Sequence, residues 1–196
     1  MNTAYNFPLD EGGRIPQDNG YPILAALSRQ HPFVHGRYDL QIAPVRGTRM
    51  RKNHAYVVTD RFSRLHVRGL SQDEASALED SWIYVGGSLL HIGKAEEVGV
   101  KPSSLLVSRL VVLTDIVDKE DFLAEVKNLV KTSSVQIGKR KSIRVKGRHY
   151  LGYPVVLRDL SAEESLRIQQ RGIGRFTSMG CGVFYPGSRK LDRSTP

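Results

Sequence analysis

Cysteine is almost absent from the 196-residue chain, which contains only Cys181. A single thiol excludes an internal disulfide framework and a zinc site built from several cysteines. Long apolar runs are also missing, because no stretch approaches the roughly 18 consecutive apolar residues that a membrane span requires. The segment MNTAYNFPLDEGG lacks the charged start, apolar run and cleavage site of a secretory signal. We therefore expect a cytoplasmic protein that does not associate with a membrane.

Acidic residues are in the minority, with 20 Asp and Glu against 29 Lys and Arg and a net charge of +9. Such an excess favours a polyanionic partner through electrostatic attraction and counterion release. The helical segments are acidic or mixed, whereas binding to an anionic membrane usually involves a basic amphipathic helix. Nucleic acid is therefore the expected partner. The cations gather in two runs between strand-like segments: RGTRMRK (Arg46, Arg49, Arg51, Lys52) and GKRKSIRVKGRH (Lys139, Arg140, Lys141, Arg144, Lys146, Arg148).

The two halves of the chain resemble each other. The segments VRGLSQDEASAL and LRDLSAEESLRI match at Arg, Leu, Ser and Glu, with an offset of 90 residues. Each has the pattern of a strand followed by the start of a helix. Ser71 and Ser161 are predicted N-caps, and Glu74 and Glu164 complete the reciprocal capping boxes.

Similar elements flank both copies, in the order β-α-β-β-α-β. A strand and a helix come first, then a basic hairpin-like region, the matched segment and a last strand. The predicted first strands are residues 6–9 and SSLLVSRLVVLT, the helices are 20–30 and 119–131, and the last strands are SLLHIG and GVFYP. This order predicts an α+β protein of two tandem ferredoxin-like domains. We expect them at residues 1–99 and 100–186, followed by a flexible tail at 187–196.

A glycine-rich stretch, GIGRFTSMGCGVF, follows the last predicted helix. It differs from the dinucleotide-binding fingerprint, because Thr177 occupies the position of the third glycine and the stretch leads into a strand. It also lacks the lysine of the nucleoside-triphosphate loop. A helix C-cap at Gly172 explains that glycine but leaves Gly174, Gly180 and Gly182 unexplained.

The pattern of Gly172-Ile173-Gly174, five residues, then Gly180-Cys181-Gly182 resembles the glycine-rich loop of the CRISPR repeat-processing endoribonucleases of type I systems, in the RAMP superfamily. Those proteins contain two ferredoxin-like domains and carry this loop after the last helix. The resemblance extends from FPLD to VFYP. Three segments are similar to one branch of this family: IPQDNGYPILAALSR, HPFVH and LGYPVVLRDLSAEESLRIQQRGIGRFTSMGCGVF. It implies a protein that cleaves CRISPR repeat RNA into guide units and stays with the product in a Cascade-type complex.

The resemblance also implies cleavage without a metal or another cofactor, by attack of the RNA 2′-hydroxyl on the adjacent phosphate. The products are a 2′,3′-cyclic phosphate and a 5′-hydroxyl. This reaction needs a base, an acid and stabilisation of the charge on the phosphate. Histidine suits the proton transfers because its ordinary pKa is about 6.5.

His31 and His35 follow the first helix, where this family places its acid–base histidine. His35, at the end of P-x-x-H, is the preferred candidate, with packing or capping as its alternative role. A metal-binding pair is disfavoured because Pro32 interrupts the helix and the glutamate of a zinc-protease motif is absent. Some members of the family pair this histidine with a tyrosine and a lysine. Tyr21 is the candidate tyrosine, with a place in the core as its alternative role. Lys52 or Arg37 is the candidate for the cation.

An RNA stem offers phosphates and 2′-hydroxyls more readily than base edges. We expect the second basic run to bind such a stem, the alternative being a solvated strand edge. Its cations lie on one face or on two, depending on a register that the sequence leaves open. The glycines of the loop are expected to expose main-chain N–H groups to the RNA backbone. The predicted RNA-binding set is Lys139, Arg140, Lys141, Arg144, Lys146, Arg148, Gly172, Gly174, Arg175, Gly180 and Gly182.

Two other functions are compatible with this fold. The first is a non-catalytic subunit that only binds the same RNA. The second is a regulatory pair of domains that binds a small molecule, which leaves the net charge of +9 unexplained. The aromatic strand signature of generic single-strand RNA-binding domains is not found in the sequence.

Overall fold

The computed structural model describes residues 3–50, 55–114, 116, 118–130 and 134–187. The segments outside the described residues include 51–54, with Arg51 and Lys52 of the first basic run and the following His54, and the tail at 188–196. The chain divides into two compact units. The first contains Thr3–Gly99 with Ser178–Gly180, and the second contains Val100–Thr177 with the residues from Cys181 onward. Within the described ranges, no helix is long and apolar enough to cross a membrane.

The elements of the first unit are β1 (Thr3–Pro8), β2 (Arg14–Pro16), α1 (Gly20–Gln30), a 3-10 turn (Pro32–Val34), β3 (Gln41–Ile42), β4 (Thr48–Arg49), β5 (Tyr56–Val58), β6 (Arg64–Arg68), α2 (Gln72–Leu78), β7 (Ser81–Val85), β8 (Ser88–Ile92) and β9 (Glu96–Gly99). Four of the strands form an antiparallel sheet in the order β3-β6-β1-β9. This is the ferredoxin-like order 2-3-1-4, and it agrees with the predicted fold class. A three-stranded sheet, β2-β5-β4, and a hairpin, β7-β8, accompany it.

The last sheet strand of this unit differs from the prediction. SLLHIG forms β8, which pairs with β7 across a turn where Gly86 and Gly87 both have positive φ. The strand that completes the sheet is β9, which pairs with Thr3–Asn6 of β1. All four residues of β9 are exposed. Because β9 has no buried alternate positions, its pairing depends on backbone hydrogen bonds and leaves no hydrophobic pattern in the sequence.

The core of the first unit lies between the sheet and the helices. Buried apolar side chains recur along α1 at Ile23, Ala26 and Leu27, which is the spacing of one helix face. They form one cluster with sheet residues that include Phe7 and Leu65. The short helix α2 begins with the predicted capping box, in which Ser71 accepts from the Glu74 N–H and Glu74 accepts from the Ser71 N–H.

The second unit repeats the arrangement, with a sheet in the order β11-β13-β10-β14. Phe122 and Val126 of its first helix pack in one cluster with Val155, Leu157 and Ile168. Ser161 caps α4 by accepting from the Glu164 N–H, while the Glu164 carboxylate binds Arg167 at 2.6–2.7 Å. The elements are β10 (Leu106–Val111), α3 (Lys119–Leu129), β11 (Val135–Ile137), β12 (Lys141–Val145), β13 (Arg148–Leu157), α4 (Ala162–Arg171), a 3-10 turn (Thr177–Met179) and β14 (Tyr185–Pro186).

Strand β13 has two roles along its ten residues. Arg148–Gly152 pairs with β12 and forms a hairpin. The following residues pair with β10 on one side and with β11 on the other. The basic run therefore lies on a hairpin that continues the central strand of the second sheet.

Candidate acid–base site and nucleic-acid interface

The end of α1 positions the two candidate histidines. The His31 N–H donates to the Leu27 carbonyl at 2.8 Å, and the His35 N–H donates to the Pro32 carbonyl at 3.0 Å. Because Pro32 has no N–H and restricts the residue before it, the helix ends and a 3-10 turn follows. Val34 is buried and anchors this turn. His35 is thus the first residue after a fixed turn.

The environments of His31 and His35 differ. The His31 ring packs against Phe33 with 5.8 Å between ring centroids. Its Nε2 is buried and forms no hydrogen bond within the part of the chain that the structure describes. Burial lowers the pKa of His31, which favours the neutral imidazole. His35 is exposed and accessible to a substrate. His35 is therefore the more accessible of the two histidines, and its role in proton transfer stays a prediction.

Two other candidates for the reaction have different positions. Tyr21 is half-buried at the second position of α1. Helical rise places it about 15 Å along the axis from His31. Arg37 donates to both carboxylate oxygens of Asp39, to Glu74 and to the Gly69 carbonyl at 2.6–2.8 Å. These carboxylates raise the pKa of Arg37 and balance its charge, so Arg37 is poorly suited to neutralise a phosphate.

Within the described ranges, no cluster of three or more His, Cys, Asp or Glu side chains that could hold a metal ion occurs. His91, in β8, is the histidine with carboxylates nearby. Its Nδ1 lies 3.6 Å from Asp10 and its Nε2 lies 3.8 Å from Asp80.

The register of the basic hairpin decides how its cations are distributed. Lys146 and Gly147 both have positive φ, as in the two-residue turns that suit twisted strands. Directly opposed residues lie on the same face. Arg144 opposes His149 on one face, whereas Lys141 and Arg148 lie on the other, because they oppose Gly152 and Val145. The cations of the hairpin therefore occupy two faces.

Lys139 and Arg140 precede the hairpin and line a concavity with Lys119, the first residue of α3. Its volume is about 460 Å³, and its walls also include Gln136 and Tyr153. Lys139 and Arg140 are exposed. This part of the predicted RNA-binding set is thus a cationic recess beside the hairpin.

The hairpin and the glycine-rich loop meet within the second unit. Tyr150 opposes Ile143 on the face that also carries Lys141 and Arg148. Its ring contacts Phe176 edge-on, with 4.7 Å between centroids. The Arg175 guanidinium carbon lies 5.2 Å from the Phe176 centroid. Arg175 therefore joins one face of the hairpin. The sequence reasoning missed the two aromatic rings that connect them.

Close contacts within the protein account for the four glycines of the loop. All four have positive φ. A β-carbon at Gly172 or Gly182 would overlap backbone atoms of Gly182 or Ile173, respectively, and one at Gly174 would overlap the Val112 carbonyl. A β-carbon at Gly180 would overlap the ring of Pro44. The close approach that requires glycine is thus internal to each unit.

Several N–H groups of the loop already have partners. Gly172 donates to Ile168, Ile173 to Gly182 and Gly182 to Leu110, at 2.7–3.0 Å. Arg175 and Cys181 also donate to carbonyls, those of Val112 and Phe176. Contact between RNA and Gly172 or Gly182 would therefore not use their N–H groups. Binding of RNA by this loop stays a prediction.

A third cationic and aromatic surface, which the sequence reasoning did not include, lies between β5 and β6. Phe62 is 73% exposed there, between Arg61 and Ser63. The Arg61 guanidinium carbon lies 4.7 Å from the Phe62 ring centroid. The neighbouring Asp60 is a residue type common in turns, so the sequence could have predicted a turn here.

Tandem ferredoxin-like units with a glycine-rich loop after the last helix are the architecture of the RAMP proteins. A solved structure described as an RAMP protein binding different RNA substrates superposes with a TM-score of 0.68 over 95% of this chain and 100% of that one, at 13% identity. The family model described as Cas6 Crispr matches residues 4–189. The chain therefore belongs to the Cas6 family, and the resemblance found in the sequence is confirmed.

The relatives agree with this membership. The CRISPR-associated endonuclease Cas6 of Myxococcus xanthus (strain DK1622) is 31% identical over an alignment of 191 residues, and the match covers 93% of this chain and 80% of that protein. A Cas6-related protein from Pyrococcus furiosus has a TM-score of 0.63 at 10% identity, over 96% of this chain and 100% of that one. Cse3 of Thermus thermophilus, solved with an RNA representing a pre-cleavage complex, has a TM-score of 0.56 at 14% identity, over 96% and 100%. The two structural likenesses show the fold.

Proposed function

We propose that this protein is an endoribonuclease that cleaves CRISPR precursor RNA within the repeat and releases guide RNA units. The observation that carries the proposal is membership of the Cas6 family across residues 4–189. The relative from Myxococcus xanthus, described as a CRISPR-associated endonuclease, supports it. The exposed His35 at the end of the α1 turn supplies a group suited to proton transfer.

The proposed reaction uses the substrate's own nucleophile and needs no metal. The 2′-oxygen forms a bond to the adjacent phosphorus, the bond from phosphorus to the 5′-oxygen breaks, and the products are a 2′,3′-cyclic phosphate and a 5′-hydroxyl. A base removes the proton of the 2′-hydroxyl, and an acid donates a proton to the departing 5′-oxygen. His35 performs one of these transfers, which contributes about 100- to 10,000-fold to the rate.

In this proposal the second unit holds the repeat stem. The Lys141 and Arg148 face of the hairpin lies beside Arg175 through Tyr150 and Phe176. Exposed cations on this hairpin suit the phosphates of an A-form stem, whose deep major groove is closed to side chains. The protein remains on the stem after cleavage and joins other subunits in a Cascade-type complex in the cytoplasm.

Cleavage of synthetic repeat RNA in the presence of a chelator tests the proposal. We expect wild-type protein to cleave, and His35→Ala to cleave about 100- to 10,000-fold more slowly with an unchanged Kd. His91→Ala, which alters a histidine of the β7-β8 hairpin, is the matched control and should retain activity. Mass spectrometry of the products identifies the cyclic phosphate.

Each contrary outcome has a specific meaning. Undiminished cleavage by His35→Ala would remove His35 from the reaction. Cleavage by wild-type protein that stops in chelator would contradict the metal-free chemistry. Tight binding of the repeat by wild-type protein without cleavage would instead identify the non-catalytic RNA-binding subunit.

A further inference from the structure

The turn between β5 and β6, residues 60–63, presents an aromatic side chain to solvent. Phe62 is 73% exposed, although a phenylalanine normally gains about 1.5–3 kcal/mol from full burial. Residues 60–63 are called the Phe62 turn below. It belongs to the first unit and is separate from the basic hairpin in sequence.

Side-chain hydrogen bonds fix the Phe62 turn. Asp60 Oδ1 accepts from the Phe62 N–H at 2.9 Å, and Asp60 Oδ2 accepts from the Thr48 hydroxyl at 3.0 Å. Ser63 Oγ accepts from the Asp60 N–H at 2.9 Å and donates to the Arg46 carbonyl at 2.6 Å. The hydrogen bonds that Asp60 accepts lower the pKa of its carboxyl group, and the bond from the Phe62 N–H contributes most. The backbone carrying Phe62 is therefore ordered before a ligand arrives.

One guanidinium group lies against the exposed ring, and two further arginines lie at or beside the Phe62 turn. The Arg61 guanidinium carbon lies 4.7 Å from the Phe62 centroid. Arg64 Nη1 donates to the carbonyls of Arg61 and Ser63 at 2.8 and 3.0 Å, which keeps a second cation at the turn. Arg46 is exposed on the adjoining segment. Within the described ranges, none of these three arginines forms an ion pair with a carboxylate.

An exposed aromatic ring beside three arginines and the one carboxylate of the Phe62 turn, that of Asp60, has the chemistry of a single-strand nucleic-acid site. A base stacks on the ring, while the cations attract the phosphate. A base within a stem is already stacked and paired, so the ligand is an unpaired nucleotide. The ordered backbone reduces the conformational entropy that binding would otherwise cost.

A second exposed aromatic residue of the first unit, Trp82, has different surroundings. Trp82, on β7, is 47% exposed and its ring lies 4.9 Å from that of His91. His91 in turn lies 3.6–3.8 Å from Asp10 and Asp80. Carboxylates at that surface repel phosphate. Trp82 therefore serves as a matched control for Phe62.

We infer that the Phe62 turn binds an unpaired nucleotide of single-stranded RNA, with its base stacked on Phe62 and its phosphate next to Arg61 and Arg64. This site adds a second point of RNA contact, in the first unit, to the stem-binding hairpin of the second. Its assignment to repeat RNA rests on the proposed function, whereas the stacking chemistry depends only on the Phe62 turn.

Fluorescence anisotropy with an unstructured RNA of about eight nucleotides, within the usual range of single-strand sites, tests the inference. We expect Phe62→Ala to weaken binding about 5- to 100-fold, the usual effect of losing one base–aromatic stack. Phe62→Trp should retain affinity, and Trp82→Ala should bind like wild-type protein. Arg61→Gln should reduce the salt dependence by about one phosphate contact. The melting temperature of Phe62→Ala should be nearly unchanged, because the side chain is exposed.

Unchanged RNA affinity in Phe62→Ala would overturn the inference, and so would an equal loss of affinity for a blunt double-stranded RNA, in which every base is paired. A parallel cleavage assay separates this inference from the proposed function. Wild-type protein that cleaves repeat RNA, together with a Phe62→Ala variant of normal affinity, removes only the stacking site. Wild-type protein that cleaves no repeat RNA but binds single strands through Phe62 removes only the proposed function.

Discussion

Arg37 Nη1 lies 2.6 Å from Glu74 Oε1 and connects the segment after His35 to the first turn of α2. The other Glu74 oxygen accepts from the Ser71 N–H at 2.8 Å and completes the capping box. Arg37 also binds both oxygens of Asp39. One guanidinium group therefore holds the chain between His35 and β3 against the start of a helix. We therefore expect Arg37 to position His35.

We expect Arg37→Ala to slow cleavage about 10- to 100-fold, because a displacement of about 1 Å at a reacting group has effects of this size. The Kd for uncleaved RNA should change little. Arg37→Lys should restore little activity, since an ammonium group cannot form the paired bonds to Asp39. Single-turnover rates and binding constants separate the two effects. Full activity in Arg37→Lys, or a weakened Kd with a normal rate, would indicate that Arg37 supplies charge to the substrate instead.

The loop glycines should affect stability before RNA affinity. A β-carbon at Gly182 would overlap the Ile173 carbonyl, and φ is +63° there. We expect Gly182→Ala to lower the free energy of unfolding by at least about 2 kcal/mol, through strain and displaced backbone. Gly147→Ala is the matched control, because φ is +80° and no atom lies within 4 Å of the added carbon. It should cost only about 1 kcal/mol. Urea unfolding measures both, and equal costs would contradict the role of internal packing.

The two faces of the hairpin should contribute unequally to RNA binding. Lys141 and Arg148 share their face with Tyr150, which leads to Arg175, whereas Arg144 lies on the opposite face. We expect Arg148→Gln to reduce the slope of log K against log salt by about one, as for the loss of one phosphate contact. Arg144→Gln should reduce it less. Equal slopes for the two variants would show that the RNA contacts both faces.

Stability should decrease with acidity because of His66. Burial, with a smaller contribution from Arg68, lowers the pKa of His66 from 6.5 to about 4. Between these values the unfolded chain binds a proton that the folded protein does not, so the free energy of unfolding falls as the pH falls from about 6.5 to about 4. The loss approaches about 3 kcal/mol. Urea titrations at several pH values measure it, and His66→Asn should flatten the profile in this window. An unchanged slope in that variant would exclude His66 as the cause.

The sequence predicted those parts of the fold that depend on local patterns. The helix at 20–30 has the bounds of α1, and the Ser71 capping box is present as expected. The strand β9 was not predictable, because its exposed residues EEVG pair through the backbone with a distant strand. Local periodicity describes burial along one element and contains no information on the partner of an exposed strand.

The candidate site was predictable in composition but not in arrangement. The basic run was evident from its amino-acid composition. The division of its cations between two faces depends on the register of the hairpin, which the turn at Lys146 and Gly147 sets. The density of glycine in the loop was also evident from the sequence. The cause was not, because the atoms that a β-carbon would overlap belong to Val112, Ile173 and Pro44, and the sequence does not show which residues lie against the loop. The sequence offers Arg37 as a candidate cation but does not show its ion pairs with Asp39 and Glu74.

The continuity of β13 gives the hairpin and the second sheet different opening equilibria. The strand spans about 30 Å from the basic turn to the sheet interior, where Val155 and Leu157 are fully buried. The hairpin end has one pairing strand, while the interior end has two. Amide hydrogens of the hairpin therefore exchange through local fraying, and those at Val155 and Leu157 exchange through opening of the whole sheet. A nucleic acid bound at the tip would slow the first process and leave the second unchanged.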